Sequence, residues 1–110
     1  MIELSILRFL EERLQVHVGM EEQNLKEKHV IIEKTGGYED NYIYHSTIAI
    51  QSVAESLLKA AELNEEVKKA MRDIEELDDV SSCSLNSDYN FTNPTTKKYR
   101  YQAVFNLVHY

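Results

Sequence analysis

The side chains in this sequence that could carry chemistry are His17, His29, His45 and His109, the single Cys83, and several adjacent pairs of carboxylates. Histidine titrates near neutrality and is a common nitrogen ligand for zinc, so four of them raise acid–base and metal chemistry together. No two stand two or four residues apart, the spacings at which one strand or one helical turn aims a pair at a common ion. All four fall on strand-like segments, so a shared site needs several strands to converge. The expectation is exposed or interface histidine and no metal. Cys83 alternates with Ser81 and Leu85 on the inward face of its strand, where apolar surroundings raise a thiol's pKa and make it a weak nucleophile. It is expected to pack in the core. Glu11-Glu12, Glu65-Glu66, Glu75-Glu76 and Asp78-Asp79 sit at helix surfaces and ends, where solvation accounts for them. The chain contains no GxGxxG, Walker glycine-lysine, CxxC pair or HExxH, and Gly36-Gly37 precedes no helix and reads as a hairpin turn. Neither catalysis nor a cofactor is expected.

Seven tyrosines and no tryptophan are the other feature of note, because tyrosine gives amphipathic surface suited to protein contacts. Tyr42, Tyr44, Tyr89, Tyr99, Tyr101 and Tyr110 all fall on strand-like segments. The second face of the last strand, Arg100, Gln102, Val104, Val108 and Tyr110, mixes polar and apolar groups as a subunit interface does.

The elements that must position these residues follow from hydrophobic period. Ile6, Leu7, Leu10 and Leu14 recur at helical spacing among charged residues, which predicts an amphipathic helix over 3–14. Leu14, Val16, Val18 and Met20 alternate, as a half-buried strand requires, and Gly19 with the polar run 21–27 ends it. Strands are predicted over 28–34 and 42–51, an antiparallel pair joined by a protruding loop, TGGYEDN. From Ser52 the period becomes helical, and Asn64 before Glu65 and Glu66 resembles a helix start, so two helices with a break near Leu63 are expected. Strands over 80–91 and 98–110 close the chain around the turn Asn93-Pro94-Thr95-Thr96. The first of them turns Cys83, Leu85, Tyr89 and Phe91 to one face. The prediction is one α+β domain, 1–110, with an N-terminal helix, a mixed and largely antiparallel sheet of about five strands, and one or two helices packed on one face.

At 110 residues the chain suffices for one core. Twelve Lys and Arg against nineteen Asp and Glu give a net charge of -7, which repels phosphate backbones and anionic lipid. A lone cysteine and an early-charged N-terminus give the expectation of a reducing cytoplasm, with no secretion signal and no membrane span.

The segments HVIIEKTGGYEDNYIYHSTIAIQSVAESLLKAAELNEEV and SCSLNSDYNFTNPTTKKYRYQAVFNLVHY resemble the small minor structural proteins of tailed bacteriophages and prophages, in the tail-terminator and head-to-tail joining group. The likeness covers most of the chain from His29 onward. It implies a homo-oligomeric ring, a hexamer in that family, that caps the finished tail tube and offers a surface to the head connector. The partners implied are other copies of the chain, the tail tube protein and the connector protein, with DNA only in passage. The location implied is host cytoplasm during assembly and then the tail or neck of the virion. Interface residues are expected at Tyr38, Glu39 and Asp40 of the loop and at Arg100, Gln102, Val104 and Tyr110 of the last strand, with Glu39 and Asp40 as candidates to line an acidic lumen.

Three other readings compete. A connector or minor capsid protein one layer nearer the head would use a similar small chain. A small α+β enzyme would assemble a strand-borne site from Tyr44, His45 and His109, and would need them to cluster in a concave pocket. A single-strand nucleic-acid binder would stack bases on Tyr99 and Tyr101 beside Lys97, Lys98 and Arg100, against the net acidic balance.

Overall fold

A computed structural model of the chain describes residues 1–22, 25–96 and 98–110. Its elements are α1 (Ile2–Leu14), β1 (His17–Gly19), β2 (His29–Asp40), β3 (Ile43–Ala54), α2 (Leu57–Met71), a 3-10 turn (Ile74–Glu76), β4 (Val80–Asn90) and β5 (Tyr99–His109). The strands form one sheet in the order β1-β2-β3-β5-β4, with β1 parallel to β2 and every other pairing antiparallel. The chain is α+β, as predicted, with its helices against one face of a mixed sheet.

The core explains that arrangement. Ile6 and Leu10 of α1, three to four residues from the next apolar position, share one cluster with Leu63 and Val67 of α2. Ile32, Ile48, Ile50, Ala103, Phe105 and Leu107 meet them from the sheet, and the strand register puts all six on the same face. α1 stops where Gln15 takes a left-handed conformation (φ 56°) and donates its N–H to the Glu11 carbonyl. That cap leaves β1 only three residues, shorter than the alternation from Leu14 to Met20 suggested.

Four sequence expectations are corrected. α2 runs unbroken through Asn64, and its N-cap is Ser56, whose hydroxyl accepts from the Lys59 N–H at 3.2 Å. Asparagine costs a helix interior well under 1 kcal/mol, less than is gained by seating Leu63 and Val67 together in the core. The helical reading from Ser52 also fails locally, because Ser52 to Ala54 complete β3. The segment TGGYED is not a loop. β2 and β3 are twelve residues each, and only Asn41 and Tyr42 turn between them, with φ of 52° and 66°. Positive φ at both central residues is what a two-residue hairpin needs to follow the twist of its strands. Gly37 is required where it stands: with φ 158°, a Cβ there would run into the His45 carbonyl oxygen.

The fourth correction concerns faces. β4 is bulged at Ser81 and at Asn86, where the register against β5 slips by one residue. Cys83 and Leu85 therefore point to the helices with Leu107 and Phe105, while Tyr89 lies opposite Gln102 on the other face, with Phe91 packed edge-on to it. A one-residue slip reverses every side chain beyond it, so the four could not share a face. Thr35 is a similar bulge in β2, and it turns Tyr38 to the helix-free side opposite His45.

Candidate functional site

The helix-free face of the sheet is crossed by one continuous polar relay. Arg100 on β5 donates from Nη1 and Nη2 to the two carboxylate oxygens of Glu22, at 3.1 and 2.9 Å. The same Nη1 donates to Gln51 Oε1 at 2.7 Å, Gln51 Nε2 donates to Gln102 Oε1 at 3.1 Å, and Gln102 Nε2 donates to the Tyr89 hydroxyl. Lys98 Nζ approaches Glu22 at 3.5 Å. The Arg100 hydrogen bonds outweigh the opposing effect of burial and, with lesser contributions from the charges of Arg100 and Lys98, hold the Glu22 carboxyl below its ordinary pKa. Paired bonds from one guanidinium to one carboxylate fix geometry as well as energy. The relay pins Glu22, just past β1, over this face, and Ile31, Ala49 and Val53 are buried beside it.

Arg100 and Gln102 are thus buried, 9% and 8% exposed, and engaged within their own chain. Val104 lies between them and the sheet end, half buried, and Tyr110 follows β5 with 66% of its surface exposed. The other expected interface residues stand on the hairpin. Tyr38, Glu39 and Asp40 are all exposed, and Tyr42 at the turn is 87% exposed.

The proposed catalytic trio does not converge. His45 stacks on Tyr38 on the helix-free face, with ring centroids 4.4 Å apart. Tyr44 stacks on His109 on the opposite face, at 5.5 Å, because successive residues of a strand point to opposite sides. His109 instead shares a buried 2.8 Å hydrogen bond between its Nε2 and Ser46 Oγ, tying β3 to β5. Its Nδ1 lies 3.4 Å from the Tyr110 carbonyl oxygen. The same alternation separates the nucleic-acid constellation: Tyr99 and Tyr101 share one face and Arg100 takes the other, while Lys97 lies outside the described residues.

Two open grooves flank the sheet. One, of about 560 Å³, lies between the entry to β2 and α2, where Lys26, Lys28 and Lys59 alternate with Glu27, Glu55 and Glu62. These charges oppose one another, and Lys59 is already paired with Glu55. The other, of about 600 Å³, runs along the β4–β5 turn past Phe91, Asn93, Pro94 and Arg100. Neither is lined by Tyr44, His45 or His109. Among the described residues no group of three or more His, Cys, Asp or Glu is placed to hold a metal ion. No described helix is long and apolar enough to cross a membrane. Cys83 packs half buried against the core, and burial, then the nearby Glu75 charge, pushes its thiol up to about 11.

Sequence reasoning passed over Glu22 and Ser46. Glu22 sits in a polar run with no periodicity, and only folding brings it to a residue 78 positions away. Ser46 could have been suspected as a polar residue in phase with Ile48 and Ile50, which must be buried with them.

The chain matches no protein-family model and no curated protein sequence.

Proposed function

We propose that this chain is a ring-forming structural subunit of a tailed-phage or prophage particle, which closes the tail tube and joins tail to head. The observation that carries the reading is the β2–β3 hairpin. It presents Tyr38, Glu39, Asp40, Tyr42 and Tyr44 to solvent. Tyr42 stands at a position with φ 66°, where glycine would sit without strain. A left-handed backbone costs a residue with a Cβ about 1–2 kcal/mol. A bulky aromatic kept there, with its ring in water, is a side chain held for an outside contact. The polar groups elsewhere support the same direction, since the Arg100 relay and the Ser46–His109 pair are spent on holding the sheet together.

The net charge of -7 fits a ring through which DNA passes without being gripped. Glu39 and Asp40, both exposed, are our candidates to face such a lumen. The connector layer nearer the head remains the second reading, because a rigid small domain with a projecting hairpin serves either position. Electron microscopy of particles from the source strain with the gene deleted, beside the unmodified strain, tests both. Full heads beside detached, overlong tails are expected of a terminator, and normal tails absent from the heads are expected of a connector. Normal tailed, infectious particles would overturn the proposal. Reversing Glu39 and Asp40 to lysine is expected to impair DNA delivery, and unchanged delivery would remove the lumen assignment.

A further inference from the structure

The end of the sheet that carries the β2–β3 turn gathers aromatic surface. Tyr44 of β3 stands opposite Glu39 of β2 on one side and His109 of β5 on the other, and His109 stands opposite Val80 of β4. One position beyond this row come Asp40, Ile43, Tyr110 and Asp79, and the Tyr110 N–H donates to the Asp79 carbonyl at 2.9 Å. Ile43 is half buried, while Tyr42, Tyr44 and Tyr110 are 87%, 41% and 66% exposed. Tyrosine in that number at one end of a sheet is the composition of a protein contact, since the ring supplies apolar area and the hydroxyl stays in water.

Charge at this end says what the contact would be. The segments that build it, 35–47, 77–88 and 101–110, contain no lysine or arginine. Glu39, Asp40, Asp78 and Asp79 are exposed, and among the described residues none of them is in an ion pair. Acids elsewhere are answered from within the chain: Glu55 by Lys59, Glu65 and Asp88 by Lys68, Asp73 and Glu76 by Arg13, and Glu22 by Arg100. An aromatic strip with acids on both flanks is complementary to positive charge. Arginine suits both parts of it, because the guanidinium plane stacks on an aromatic ring and its N–H groups pair with a carboxylate.

We infer that this end of the sheet docks an arginine-bearing segment of a different protein, with guanidinium groups stacked on Tyr42, Tyr44 or Tyr110 and paired with Asp78 and Asp79. This rests on the assembly reading above and names the chemistry of one partner. Nucleic acid and anionic lipid are repelled by the same unpaired acids. A second copy is a poorer occupant, because Arg13 and Arg100 are already engaged in ion pairs of their own.

NMR titration of the isotope-labelled full chain with an arginine–glycine repeat peptide, at about 0.15 M salt to screen diffuse attraction, tests the inference. A dissociation constant below about 1 mM is expected, with the amide shifts concentrated at Tyr42, Ile43, Tyr44, Asp79 and Tyr110. The lysine–glycine counterpart is expected to bind about fivefold more weakly, since an ammonium has no plane to stack. Tyr42→Gly is expected to fold as stably as the parent, because glycine takes φ 66° without strain, and to bind about fivefold more weakly. Asp78→Asn combined with Asp79→Asn, both at exposed positions, is expected to weaken binding about tenfold. Four results would overturn the inference: a dissociation constant above about 1 mM, shifts spread evenly over the acids of α2, Tyr42→Gly binding as the parent does, or shifts at the same residues when the chain alone is concentrated. The last assigns the surface to a second copy. All four leave the particle reading standing, whereas normal particles from the deletion strain end that reading and leave a positive titration in place.

Discussion

Arg100 shows how a residue expected at an interface can be engaged within its own chain. Its place on the last strand beside Gln102 suggested an intermolecular surface, because a guanidinium on a mixed polar and apolar face is a common interface residue. In the fold it has Glu22, Gln51 and, through Gln51, Gln102 as partners, and its side chain is 10% exposed. The pairing has a pH signature. The folded pKa of Glu22 is depressed below its ordinary value, so the unfolded chain binds the proton more readily. The stabilisation is present above the unfolded pKa and is lost as pH falls through the folded one. Glu22 is about half exposed, which limits the gain through solvent screening. Glu22→Gln is expected to lower unfolding free energy by about 1 kcal/mol at pH 7. Urea titrations of both proteins should show that gap closing toward pH 3, and a gap that stays constant with pH would mean the carboxylate charge contributes nothing.

Among the elements, α2 was legible in kind and misread at its start. Asn64 before two glutamates carries the chemistry of a cap, but a cap requires amides left free, and here the preceding turn already occupies the helix. Ser56 does the capping. Ser56→Ala is therefore expected to cost about 1 kcal/mol, measured as a lower midpoint in chemical denaturation with an unchanged slope. The strands were legible in position, and their faces were not, because a bulge leaves no mark in hydrophobic period until the partner strand is known. β4 reads as one alternating strand, yet the slip at Asn86 sends Cys83 and Tyr89 to opposite sides. β2 was misread for a related reason: a segment with two glycines and two acids has weak strand propensity, and it is held as strand by its pairing with β3.

At the scale of the whole molecule, one cluster joins α1, α2 and all five strands, so no part of the core is private to one element. Small single-core domains unfold as one unit. Ile6→Ala, which empties a fully buried site in α1, is expected to lower stability by about 3 kcal/mol. Secondary structure and tyrosine fluorescence should then shift together on heating, and two separated transitions would show that α1 is an appendage. The element order, the α+β class, the apolar stripe of α1 and the inward residues of β5 were all determined by the sequence itself. Each depends on the period of apolar residues along a few turns or a few strand positions, and burial reads that period directly. The hairpin length, the reversal of β4, the separation of His45 from Tyr44 and His109, and the reach of Glu22 to Arg100 were decided only by the tertiary structure. Those depend on register and on groups far apart in the chain, where the free energy belongs to the pair and no single segment carries its mark.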